Sequence, residues 1–133
     1  MTNTEKSKFS IEKWDEKENN EWESGKLSRT ICTKKFDGNF NGNSKLEAIM
    51  LRMECDQNPM AYIGVEHINC TLDGRTGSFI LIHNAEALGE DQQSTLKILP
   101  GSGTGDLVGI TGSGEITPDH FFILSYELET VNA

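Results

Sequence analysis

Residues 60–85 read MAYIGVEHINCTLDGRTGSFILIHNA and contain two runs rich in β-branched and aromatic residues, separated by Asp73-Gly74. An Asp-Gly pair supplies the positive φ angles that a two-residue hairpin turn requires. The flanking runs have the length and composition of strands. This stretch therefore predicts an antiparallel β-hairpin with strands at Met60–Thr71 and Thr76–Ala85.

The rest of the chain repeats this pattern of short segments between turn residues, and it has no apolar period of 3.6 residues longer than two turns. Eight sequential strands with short connections favour an all-β fold, an eight-stranded antiparallel meander closed into a small barrel, because closure leaves no exposed sheet edge. A two-sheet β-sandwich is the alternative. The six strands predicted outside the hairpin are Lys8–Lys17, Lys26–Phe36, Ser44–Glu54, Gln92–Leu99, Thr111–Thr117 and His120–Glu129.

Length and charge limit the domain count and the partners. The chain has 133 residues, so we expect residues 1–133 to form a single β-barrel domain, with residues 1–7 poorly ordered. Twelve Lys and Arg against 21 Asp and Glu give a net charge of −9, which predicts that neither nucleic acid nor a membrane is a partner. Three cysteines, an odd number, and the lack of an apolar signal segment before Lys8 predict a cytoplasmic location.

Five stretches together resemble a bacterial family of domains of unknown function. They are Trp14–Glu16, Lys26–Arg29, Leu72–Phe79, Pro100–Leu107 and Gly109–Gly114, in that order along the chain. The resemblance implies a barrel similar to that of plant allene oxide cyclases, related in shape to the lipocalins and often oligomeric. It implies no activity and no site residues, because a shared fold does not carry a function with it.

The register of the predicted hairpin brings two ionisable residues together. A two-residue turn places Leu72 opposite Arg75 and therefore Gly64 opposite His83, so Glu66 and His83 become diagonal neighbours on one face. A carboxylate and an imidazole among apolar residues can act as a general acid and base, or can orient a ligand. We therefore predict a ligand-binding site formed by Glu66, His83, Tyr62, Phe79 and Tyr126.

Two other interpretations of this face stay open. Glu66 and His83 can form an internal ion pair with no further role. The whole face can also be the solvated one, because the opposite face offers Ile63, Val65, Ile80 and Ile82 as an apolar alternative. A three-residue turn would shift the register and separate the pair.

Neither a metal site nor a cofactor site is expected. His67 and Cys70 have a suggestive spacing, but odd and even positions of a strand point to opposite faces. The glycines from Gly101 to Gly105 lack the spacing of a dinucleotide-binding loop, and Asp106 follows them. We interpret that stretch as a flexible connection between the sixth and seventh strands.

These observations give three hypotheses about function. The leading hypothesis is that the barrel binds a small apolar ligand in its interior. The second is a cofactor-independent isomerase or cyclase in which Glu66 and His83 transfer a proton. The third is a structural or interaction protein whose barrel is filled by side chains and whose outer strands form a homo-oligomer, an assembly we expect in any case.

Overall fold

The computed structural model describes residues 2–22 and 24–128, whose nine strands form a single sheet. The strands are β1 (Asn3–Trp22), β2 (Gly25–Gly38), β3 (Phe40–Met53), β4 (Met60–Leu72), β5 (Arg75–Leu88), β6 (Asp91–Ile98), β7 (Thr104–Gly105), β8 (Thr111–Ile116) and β9 (Phe121–Glu127). Across these described ranges there is no helix, and hence none with the length and apolar character needed to cross a membrane.

Every pairing in the sheet is antiparallel, and the sheet closes on itself. Each strand from β1 to β5 pairs with the next one, β6 pairs with β8, β8 pairs with β9, and β9 returns to β1. The short β7 adds to β5 beyond the end of β6. The predicted eight-stranded antiparallel barrel is therefore confirmed, and the sandwich alternative is wrong.

The first strand differs most from its prediction. It spans twenty residues, whereas the sequence pattern predicted ten. Its register against β2 shifts between Ile11 and Lys13 and again between Glu18 and Asn20, and such bulges break the alternation by which a strand is recognised. Residues 3–7, which we expected to be poorly ordered, pair with β9. Glu129, the predicted end of the last strand, lies outside the described residues.

The hairpin between β4 and β5 has the register that its turn predicted. Asp73 and Gly74 have φ angles of 50° and 75°, as a two-residue turn of this type requires. Leu72 faces Arg75, and Gly64 faces His83. β5 continues to Leu88, three residues beyond its predicted end.

Large apolar side chains fill the end of the barrel near the Asp73-Gly74 turn, which we call the closed end. Phenyl rings pack edge to face there, with centroids 5.7 Å apart for Phe36 and Phe122. The cluster consists of Phe9, Phe36, Phe40, Ile68, Cys70, Leu72, Phe79, Leu81, Leu96, Ile98, Leu107, Ile110, Phe122, Leu124 and Tyr126. This half of the interior is therefore occupied by packed apolar side chains.

The Gly-rich connection between β6 and β8 covers the closed end. Leu107 and Ile110 from this connection are fully buried in the apolar cluster. A Cβ atom at Gly77 would lie 2.0 Å from the backbone oxygen of Thr104, so only glycine allows this connection to pack so close to β5. The connection is thus part of the core as well as a link between two strands.

The exposure of the β4 side chains shows which face of the hairpin lies inside the barrel. Ile63 is 64% exposed and Val65 is 48% exposed, whereas Glu66 and His83 are completely buried. The interpretation in which Glu66 and His83 face the solvent is therefore wrong.

The cover over the closed end can be tested with two adjacent residues. We expect Leu107→Ala to lower the free energy of unfolding by about 2–5 kcal/mol, because it leaves a cavity among packed apolar side chains. Val108, the next residue, is 65% exposed, and Val108→Ala should change stability by less than about 0.5 kcal/mol. Urea unfolding of the two variants measures both values, and similar losses in both would contradict the burial of the connection.

Candidate functional site

A buried carboxylate lies at the centre of the barrel. Glu66 on β4 accepts a hydrogen bond at Oε1 from His83 Nε2, at a distance of 2.7 Å. The Lys34 ammonium lies 3.5 Å from the same oxygen, and the Ser44 hydroxyl donates to Oε2. All four side chains are buried.

The pairing of the strands explains why these side chains meet. His83 faces Gly64, which has no side chain, so the imidazole ring is flanked by Tyr62 and Glu66, two residues to either side of Gly64 on β4. Lys34 on β2 faces Ser44 on β3. Because inward positions alternate along each strand, all of these residues point into the barrel.

A chain of hydrogen bonds connects the buried carboxylate to a partly exposed tyrosine. The Tyr62 hydroxyl lies 3.1 Å from His83 Nδ1, and His83 Nε2 contacts Glu66. Tyr62 also packs against a second cluster of buried apolar residues, which consists of Cys32, Leu46, Ala48 and Met50. We call Lys34, Ser44, Tyr62, Glu66 and His83 the polar cluster.

The surroundings shift the pKa values of Glu66 and Tyr62 in opposite directions. Burial alone would raise the pKa of the Glu66 carboxyl, but the hydrogen bond from His83 and the charge of Lys34 outweigh burial and hold it below its usual value. Burial, and then the charge of Glu66, raise the pKa of the Tyr62 hydroxyl. Glu66 is therefore ionised at neutral pH, and Tyr62 keeps its proton.

A pocket of about 410 Å³ opens at the end of the barrel opposite the closed end, and we call this opening the mouth. Tyr62 is the member of the polar cluster that lines the pocket, while Glu66 and His83 lie buried behind it. The lining residues are Met60, Ala61, Tyr62, Ala85, Glu86, Ala87, Gln92, Gln93, Ser94, Leu96 and Ile116. A bound molecule can thus touch the cluster at Tyr62.

An adjoining groove of about 440 Å³ shares part of its lining with the mouth, namely Met60, Ala61, Glu86, Ala87 and Gln93. It extends to outward-facing residues such as Leu51 and Leu88, and none of the polar cluster lines it. Without a buried polar group to fix an orientation, this groove is the weaker candidate for a specific ligand.

The structure brings together three of the five residues predicted for the site. His83 is hydrogen-bonded to Tyr62 at Nδ1 and to Glu66 at Nε2. Phe79 and Tyr126 lie instead in the apolar cluster of the closed end, and they do not line the pocket. Their prediction followed from inward direction alone, which does not specify the height of a residue in the barrel.

Lys34 and Ser44 were missed by the sequence analysis. Cys32 and Phe36 lie two positions before and after Lys34, on the same face of the strand, and these apolar neighbours are the signal that could have indicated an inward-facing cation. Its counter-charge lies 32 positions away in the sequence, so the pairing of two further strands was needed to find it.

His67 and Cys70 lie on opposite faces of β4, His67 exposed on the outer wall and Cys70 buried in the closed end. Within the part of the chain that the structure describes, no three His, Cys, Asp or Glu side chains are grouped so as to hold a metal ion.

Comparisons with known proteins identify a family and a fold. The model of a family described as protein of unknown function (DUF3224) matches residues 5–129. A crystal structure of a DUF3224 protein of unknown function from Shewanella oneidensis MR-1 is similar, with a TM-score of 0.85 and 24% sequence identity over 98% of this chain and 100% of that one. No curated protein shows significant sequence similarity to the chain. The structural likeness supports the barrel fold alone.

The balance of charge in the polar cluster predicts the effect of two substitutions. We expect Glu66→Gln to lower the free energy of unfolding by about 3–5 kcal/mol, because it leaves the buried Lys34 ammonium without its counter-charge. The double variant Lys34→Met, Glu66→Gln removes both charges and should be at least about 1 kcal/mol more stable than the single variant. Chemical denaturation at neutral pH measures both, and a double variant that is less stable than the single one would contradict this account.

The lowered pKa of Glu66 predicts how this difference depends on pH. A carboxyl whose pKa is lower in the folded than in the unfolded chain stabilises the fold above its unfolded value of about 4.5. That stabilisation is lost as the pH falls through the folded value. The stability difference between the wild type and Glu66→Gln should therefore be constant near neutral pH and shrink below about pH 4.5. Urea unfolding between pH 7 and pH 3 measures it, and a difference that grows on acidification would contradict the direction of the shift.

Proposed function

The chain belongs to the DUF3224 family of proteins of unknown function, and from this premise we propose that it binds a small, largely apolar ligand in the mouth of the barrel. The observation that carries the proposal is a pocket of about 410 Å³ whose lining includes Tyr62. The Tyr62 hydroxyl is held by His83, which is fully buried.

The size and lining of the pocket fit a small ligand with few polar groups. Pockets for small molecules have volumes of roughly 300–1,000 Å³ and are lined mainly by apolar side chains. Ala85, Ala87, Leu96 and Ile116 supply apolar walls here. Each buried CH₂ group of a ligand would contribute about 0.8 kcal/mol.

The polar cluster supplies a fixed anchor at the bottom of the pocket. A side chain orients a ligand well when its own position is fixed by hydrogen bonds and packing behind it. Tyr62 is fixed in this way by His83, which is in turn fixed by Glu66. Burying an ion pair rarely adds stability over apolar packing, so a binding role gives a reason to keep these charges in the barrel.

Proton transfer to a bound substrate is the second candidate function. It is favoured by the order of the chain from Tyr62 through His83 to Glu66, which resembles the arrangement of a nucleophile, a base and an orienting carboxylate. Binding is better supported, because Glu66 and His83 do not line the pocket, and Tyr62, whose pKa is raised, is protonated at neutral pH and cannot accept a proton from a substrate.

Four expectations from the sequence stay predictions. They are the finer likeness to the allene oxide cyclase and lipocalin barrels, the cytoplasmic location, the absence of nucleic-acid and membrane partners, and the homo-oligomer. An oligomer would cover the exposed apolar side chains of the outer wall, among them Ile49, Ile63 and Val65.

Binding can be tested with N-phenyl-1-naphthylamine, a neutral apolar dye that fluoresces strongly when it leaves water. We expect saturable binding to the wild type and at least about tenfold weaker binding to Ala85→Phe, because Ala85 faces inward beside Tyr62 and a phenyl ring there fills the pocket. Fluorescence titration measures the two dissociation constants.

A matched variant separates the mouth from the outer groove. Leu88 is 49% exposed and lines the groove but not the mouth. Leu88→Gln should therefore bind the dye as the wild type does. Loss of binding in Leu88→Gln with retention in Ala85→Phe would assign the dye to the groove, and no saturable binding to the wild type would refute the proposal.

A further inference from the structure

The polar cluster contains one close pair of opposite charges, and these two charges already balance each other without His83. The Lys34 ammonium and the Glu66 carboxylate lie 3.5 Å apart, with side chains that are 6% and 0% exposed. A protonated His83, also fully buried, would add a second positive charge with no second anion in the cluster. Burying an uncompensated charge is costly, so charge balance favours a neutral imidazole.

The direction of each hydrogen bond follows from a neutral His83. An ionised carboxylate can only accept hydrogen bonds, so the contact between His83 Nε2 and Glu66 Oε1 requires the proton on Nε2. A neutral imidazole carries one N–H, which leaves Nδ1 as an acceptor. The Tyr62 hydroxyl must therefore donate its proton to His83 Nδ1.

A tyrosine hydroxyl has a single proton, and the Tyr62 proton takes part in the hydrogen bond to His83. The Tyr62 oxygen can then offer only lone pairs to the pocket. Resting on the proposed binding function, we infer that Tyr62 acts as a hydrogen-bond acceptor toward the ligand, so that the site selects small apolar molecules with a donor group, such as alcohols or phenols, over the corresponding ketones.

Among the other polar residues of the pocket, Glu86 also favours a ligand with a donor group, but it lies exposed on β5 and is unchanged in a Tyr62 variant. Ser94, Gln92 and Gln93 line the pocket from β6. A hydroxyl or a carboxamide can both donate and accept, so these side chains adapt to either kind of ligand. The part of the selectivity that is lost with the Tyr62 hydroxyl is thus assigned to Tyr62, because the hydrogen bond to His83 fixes the orientation of that hydroxyl.

A pair of ligands with the same carbon skeleton tests the inference. Displacement of N-phenyl-1-naphthylamine by 4-tert-butylcyclohexanol and by 4-tert-butylcyclohexanone gives two affinities for the wild type. We expect the alcohol to bind about tenfold more tightly. The alcohol donates a buried hydrogen bond to the Tyr62 oxygen, whereas the ketone places its carbonyl oxygen, an acceptor, against that acceptor.

Tyr62→Phe is the control, because it keeps the ring and removes the hydroxyl. The ratio of the two affinities in this variant measures the intrinsic preference of an apolar pocket, and it should fall about tenfold from the wild-type ratio. Glu66→Gln should lower the ratio as well, because an amide at position 66 can accept from or donate to His83 and no longer fixes its proton.

The outcomes separate the inference from the function on which it rests. If the dye does not bind the wild type, the proposed function fails and the inference fails with it. If the dye binds and the ketone competes as well as the alcohol, or if the ratio is the same in Tyr62→Phe, binding stands and the inference is wrong.

A measurement without substitution gives an independent check. Long-range ¹H–¹⁵N correlation spectra of the wild type show which ring nitrogen of His83 carries a proton. We expect a single proton, on Nε2. A proton on Nδ1, alone or with a second one on Nε2, would overturn the assignment.

Discussion

The two-residue turn at Asp73-Gly74 fixes the register of β4 against β5, and the interior of the barrel depends on that register. Because side chains alternate along a strand, a slip of one residue would turn every inward residue of β4 outward. Glu66 would then face the solvent, and Ile63 and Val65 would enter the barrel. The same register leaves Gly64 opposite His83, which gives the imidazole its place between Tyr62 and Glu66.

The barrel has three layers with different physical character. The closed end is packed with aromatic and aliphatic side chains and is covered by Leu107 and Ile110. The polar cluster follows as a layer of charges that satisfy one another. The mouth above it is open and lined mainly by small or apolar side chains. The hypothesis of an interior filled by side chains thus describes the closed end, and the ligand hypothesis applies to the mouth.

Local sequence signals predicted the eight barrel strands and the hairpin register, because both depend on turn residues and on alternation within a few positions. The contact between Glu66 and His83 followed from the same register. Lys34 and Ser44 could not be found in this way, since their place depends on the registers of β2, β3 and β4, whose connections are not all two-residue turns. The burial of Leu107 and Ile110 was equally hidden, because a Gly-rich stretch shows no strand period.

Unequal strand lengths explain why the mouth is open without a conformational change. β2 and β3 each have fourteen residues, whereas β8 has six and β9 has seven. β1 pairs with β9 through residues 3–8 only, and β6 pairs with β8 at two positions. The wall is therefore low where β8 ends at Ile116, a residue that lines the pocket. The short β8 and β9 strands therefore leave Tyr62 accessible, while the pairing of the longer strands keeps Glu66 and His83 buried behind Tyr62.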